Sequence, residues 1–131
     1  MLSISSPLPK EKLLNVSSLA LAHVGDGIFE LLVRTRLTLD GSLTAAKLHK
    51  KTVELVRASA QAEFMKKIAP LLTPEELSVY QRGRNCHVTH VPKGATPGEY
   101  SSATGLEALF GWLYLSGMAE RIDELFEAGV K

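Results

Sequence analysis

One cysteine, Cys86, stands in 131 residues. No intrachain disulfide can form, and a reducing compartment fits. No apolar run approaches the ~20 residues that a membrane helix needs. The first residues, MLSISSPLPKEKLLN, lack a basic segment followed by an apolar one, so no secretory leader is expected. These absences predict a soluble cytoplasmic protein. An excess of one charge is missing too: 15 Lys+Arg face 14 Asp+Glu. That balance selects no partner, but its distribution is uneven. Basic residues outnumber acidic ones 6 to 2 over residues 41–70, whereas acids lead 5 to 2 over residues 101–131. Polyanion binding follows only if the basic side chains share a face. Internal repeats and low-complexity tracts are also lacking. A composition of 45% hydrophobic and 22% charged residues reads as one globular domain over residues 1–131, long enough to bury a core without staples.

The pattern predicts an all-α fold. Nothing alternates with period two for long, and the apolar segments are too long for strands. Helices are expected from about Val16 to Leu37, Leu43 to Lys50, Thr52 to Ile68, Thr73 to Arg82, Tyr100 to Leu115 and Ala119 to Ala128. The run TPEE at 73–76 is a helix start: Thr73 caps, Pro74 takes the first helical position, and acids follow at the positive end of the dipole. Residues 83–99, GRNCHVTHVPKGATPGE, are read as one long loop, a length more often functional than not.

Two carboxylates sit where acids are costly. ALAHVGDGIFELLVR (20–34) embeds Asp26 in an apolar run between Gly25 and Gly27. Each glycine costs about 1 kcal/mol against alanine in a helix interior, so a backbone or a ligand is expected to come close. Alternatively, Asp26 caps or pairs with another group while the glycines permit a helix crossing. YSSATGLEALFGWLYL (100–115) repeats the pattern, with Glu107 among Gly105, Ala108 and Gly111. Two such helices packed closely would bring the acids together, where they resist ionising at once. A divalent cation resolves that conflict; an arginine bridge would also do so. Mg²⁺ suits one or two carboxylates plus water and a substrate phosphate. A cation so held activates water against a phosphodiester.

These residues carry a resemblance. LALAHVGDGIFELLVRTRL (19–37) resembles the signature helix of the ribonuclease III endonuclease domain, and GLEALFGWLYL (105–115) resembles that family's second acidic motif. LHKKTVELVRASAQAEFM (48–65) and VYQRGRN (79–85) are similar to its compact bacterial branch, Mini-ribonuclease III, and the match spans about residues 14–129. The resemblance implies an all-α endonuclease domain forming a helical homodimer. It implies Mg²⁺-dependent cleavage of double-stranded RNA that leaves a 5′-phosphate and a 3′-hydroxyl. The branch's associated task is maturing the ends of 23S ribosomal RNA precursor, with a ribosomal protein as the candidate helper. Asp26 and Glu107 fall on the catalytic, metal-binding acids. Full-length members usually carry further acids four residues before the first and three before the second; here those positions are Ala22 and Thr104. Glu30, one turn from Asp26, either supports the ligand set or pairs with Arg34.

Without a separate duplex-binding domain, the catalytic domain is expected to hold RNA itself, through spread contacts to phosphate and 2′-hydroxyl groups. Lys47, Lys50, Lys51, Arg82, Arg84, Asn85 and Lys93 are the candidates, with Arg57 and His49 on the same helices. His87, His90 and Cys86 are weak as a metal set or a nucleophile. Two rivals remain at this point. One is a catalytically inactive RNA-binding scaffold of the same fold. The other is a helical dimer whose embedded acids pair with arginines.

Overall fold

The computed structural model describes residues 4–41, 43–86 and 90–131. They form α1 (Lys10–Leu13), α2 (Ser18–Asp40), α3 (Ala45–Val56), α4 (Ala58–Ile68), a 3-10 turn (Ala69–Leu71), α5 (Pro74–Arg84), α6 (Pro97–Leu115) and α7 (Ala119–Val130). No strand occurs among the described residues, as the periodicity predicts. No helix is long and apolar enough to cross a membrane.

Helix α6 is the axis of the fold, packed against α2, α4, α5 and α7. Its Leu106, Leu109, Phe110 and Leu113 are fully buried. The chain's four phenylalanines converge from α2, α4, α6 and α7. Phe29 meets Phe64 edge-on at 5.2 Å, with Phe110 and Phe126 at 5.9 and 6.0 Å. Edge-to-face pairs add about 0.5–1.5 kcal/mol each beyond their buried area.

Caps place the helix starts. Ser17 and Thr44 accept from Ala20 N–H and Lys47 N–H. Thr73 and Glu76 form the reciprocal capping box expected from TPEE. TPGE at 96–99 makes the same box, with Thr96 and Glu99. Helix α6 therefore starts at Pro97 and not at Tyr100. With α5 running to Arg84, the connection shortens to residues 85–96. His87 and its two successors lie outside the described residues.

The break expected between Lys50 and Thr52 is also displaced. Helix α3 continues through those residues to Val56. The chain turns at Arg57, whose extended backbone (φ −66°, ψ 156°) ends α3 and opens α4. Gln61 Nε2 donates to the Val56 carbonyl at 2.8 Å, occupying an acceptor that the helix end would otherwise leave open. Neither glycine nor proline marks this break.

Candidate active site

Helices α2 and α6 cross at near backbone contact. A Cβ built on Gly25 would lie 1.6 Å from the Glu107 carbonyl oxygen, and one on Gly111 would lie 1.9 Å from the Leu21 carbonyl oxygen. Only glycine fits at either place. Gly27, on the far side of Asp26, meets nothing within 4 Å. A backbone does come close at Gly25, and it does so at a helix crossing, which both readings of the flanking glycines allow.

That crossing brings Asp26 and Glu107 together. Asp26 is exposed on its helix, where its apolar stripe predicts either packed protein or a cleft floor; Glu107 is half-buried. Burial pushes the Glu107 carboxyl up to about 8, and the charge of Asp26 adds to the effect. A hydrogen bond with Asp26 contributes as well, which two carboxyls can share only while one keeps its proton. Among the described residues neither acid forms an ion pair with a basic side chain. The arginine-bridged alternative is therefore absent within the protomer.

Glu107 opens onto a cleft of about 490 Å³ between the α3–α4 break and the start of α6. Arg57, Ser59, Gln61, Lys93 and Tyr100 share its wall. The Arg57 and Lys93 cations are thereby brought to the mouth of an acidic site. Lys47, Lys50 and Lys51 are exposed on α3. Arg82 and Arg84 diverge, since residues two apart on a helix point to opposite sides. Arg84 lies over the Tyr80 ring at 5.5 Å and reaches Asn85 Oδ1 at 3.4 Å. Arg82 lines a separate groove with Lys10, Glu75 and Trp112.

The departures from the family pattern are now explained by packing. Ala22 is buried with Leu13, Leu21, Val79 and Ala108. Thr104 is buried and donates its hydroxyl hydrogen to the Tyr100 carbonyl at 3.0 Å. Glu30 pairs with Arg34 at 3.1 Å. Among the described residues no cluster of three or more His, Cys, Asp or Glu forms a metal set, so the site offers two carboxylates.

The Ribonuclease III domain profile matches residues 19–118, which contain both acids and the glycines of the crossing. The chain belongs to the ribonuclease III family. It is 43% identical to Mini-ribonuclease 3 of a Thermoanaerobacter species, over 95% of this chain and 87% of that protein. It is likewise 43% identical to Mini-ribonuclease 3 of Symbiobacterium thermophilum, over 88% of each. A Fusobacterium nucleatum protein of known crystal structure superposes with a TM-score of 0.79 at 32% identity, covering 88% of this chain and 93% of that one. The ribonuclease III fold read from the two acidic motifs is thus the fold observed, and the protein is an endoribonuclease of the class that acts on double-stranded RNA.

Sequence reasoning missed Gln61. It is buried, and its Nε2 lies 3.4 Å from Glu107 Oε2. Only its amide in the otherwise helical run ASAQAEFM marks it in the sequence.

Proposed function

We infer that this ribonuclease III family member uses Asp26 and Glu107 to bind Mg²⁺ and hydrolyse double-stranded RNA. The observation that carries the reading is the α2–α6 crossing at Gly25, which sets two carboxylates side by side with no basic side chain paired to either among the described residues. Such a pair fits Mg²⁺, which keeps several waters and takes few protein carboxylates. Bound there, Mg²⁺ supplies polarisation of the phosphoryl oxygen and a more acidic water.

The protein's own groups divide the remaining work. Asp26 and Glu107 act as acceptor oxygens, and Glu107 must release its proton to do so. Arg57 and Lys93 flank the cleft and meet backbone phosphates. Lys47, Lys50, Lys51, Arg84 and Asn85 extend the contact along the duplex by charge and shape, whereas Arg82 lies in its separate groove. Water adds to phosphorus as the bond to the 3′-oxygen breaks, and that oxygen leaves with a proton. The products are a 5′-phosphate and a 3′-hydroxyl. Glu30, held by Arg34, supports the ligand set at most through water. A homodimer pairs two such sites with the two strands of a duplex, whose pseudo-twofold a twofold protein axis matches. The substrate we infer is 23S ribosomal RNA precursor in the cytoplasm, with a ribosomal protein as the candidate helper.

Purified protein incubated with long duplex RNA and Mg²⁺ should cut it, whereas Asp26→Asn or added EDTA should abolish cutting. Folded wild-type protein that binds duplex and ribosomal precursor but cuts neither would point to the inactive scaffold. The commitment of Ala22 and Thr104 to packing is what favours that second reading.

A further inference from the structure

Gln61 is 3% exposed, projecting from the first turns of α4 toward α6. Its Nε2 makes both of the side chain's contacts: to the Val56 carbonyl at 2.8 Å and to Glu107 Oε2 at 3.4 Å. Its Oε1 is buried with no hydrogen-bond partner. A buried amide oxygen left unpaired is destabilising. Flipping the amide would aim that oxygen at two acceptors and lose both contacts. The orientation is therefore dictated by what Nε2 must reach, at the expense of the oxygen. A methionine of similar length would carry no unpaired atom of its own, but it would give up both contacts, the donor to the Val56 carbonyl among them.

Gln61 also belongs to the cleft wall beside Glu107. It is anchored at the backbone break that carries Arg57 into the same cleft. One amide thus links the turn between α3 and α4 to one acid of the pair. The longer of its two contacts goes to the carboxylate.

We propose that Gln61 is a positioning residue of the active site, its Nε2 orienting the Glu107 carboxylate toward the bound cation while registering the α3–α4 turn against it. This rests on the reading that Asp26 and Glu107 hold a divalent cation. Residues that orient ligands typically matter 10–100-fold for metal affinity or activity. In the substitution Gln61→Met both N–H contacts disappear with little change in volume.

The test is a Mg²⁺ titration of full-length wild-type and Gln61→Met protein, read by thermal shift without RNA. Cleavage of duplex RNA at saturating Mg²⁺ is then resolved into kcat and KM. The expected result is a Mg²⁺ half-point raised about 10-fold and a lower kcat, with KM for duplex little changed. A variant whose melting temperature moves while its Mg²⁺ half-point and kcat match wild type would show a helix cap and nothing more, overturning the proposal. Should Gln61→Met not fold, Gln61→Asn serves instead. It keeps the amide but, one methylene shorter, cannot span both acceptors, and the same two outcomes decide. Wild-type protein that shows no Mg²⁺ response would overturn the cation reading itself, which a flat response of the variant alone would not.

Discussion

Two embedded glutamates in this protein have opposite fates. Glu76, at the start of α5, is 2% exposed. It receives Arg121 Nε at 2.8 Å and Nη2 at 2.9 Å, while Nη2 also donates to the Leu71 carbonyl. The Arg121 guanidinium holds its carboxyl below the usual range. Glu107 has a glutamine and another acid in place of an arginine, and its carboxyl is pushed up to about 8. The first is a finished interaction that ties α5 to α7. The second is unfinished within the protomer. Burial alone does not distinguish a structural acid from a functional one; the sign of the charge beside it does.

The comparison breaks most sharply by removing each charge. Glu107→Gln should cut cleavage on the order of 10³-fold, since several kcal/mol of transition-state stabilisation go with the cation. It should also raise the melting temperature of the Mg²⁺-free protein at pH 8. Glu76→Gln should do the reverse. It leaves Arg121 with only the exposed Glu124 as an acidic partner, costs about 3 kcal/mol of stability and spares the cleavage rate of the folded fraction. A chemical-denaturation curve beside a single-turnover assay checks both. Equal destabilisation by the two substitutions would refute the contrast.

The glycines around Asp26 sharpen it next. Gly25→Ala places a methyl on the Glu107 carbonyl and should cost at least about 3 kcal/mol or prevent folding. Gly27→Ala meets open space and should stabilise α2 by up to about 1 kcal/mol. A loss at Gly27 in RNA-free protein would mean that a second copy approaches there.

The two acids also predict opposite pH slopes. In the folded protein Glu107 titrates above the ordinary 4.5. Its favourable contribution is full below pH 4.5 and is lost as pH rises through 8. Glu76 titrates below 4.5. Its contribution is present above that value and is lost as pH falls through its folded pKa. Between pH 5 and 8 the Mg²⁺-free protein should therefore lose stability, and Glu107→Gln should flatten that slope. Mg²⁺ competes with the Glu107 proton, so the melting-temperature gain at fixed subsaturating Mg²⁺ should grow from pH 6 to pH 8. A pH-independent gain would remove Glu107 from the ligand set.

The smallest effect is expected at Glu30. Its pair with Arg34 is solvent-exposed, and Glu30→Gln should change stability by a few tenths of a kcal/mol. The Mg²⁺ half-point should stay in place; a several-fold shift would draw Glu30 into the site.

Much of this was legible because it is local. Thr73 announced its helix through the run that follows it, and Thr96 carries the same signal in TPGE, obscured by the loop residues before it. Asp26 and Glu107 stood out because an acid in an apolar run is costly wherever the run packs. The α3–α4 break was not legible, because Arg57 is unremarkable in sequence and Gln61 stabilises the turn from within α4. Nor was the divergence of Arg82 and Arg84, which four consecutive letters, RGRN, make look like one basic cluster.

By itself the sequence determined the side-chain-capped starts of α2, α3, α5 and α6, the apolar stripes and the two acidic motifs, since capping and periodicity act within a few residues. Only the tertiary structure decided that Gly25 admits the Glu107 backbone and that an arginine reaches Glu76 but not Glu107. Only there does one glutamine gain a stake in the acid pair. Those outcomes depend on which side chains meet across packed helices, where distance along the chain carries no information about distance in space.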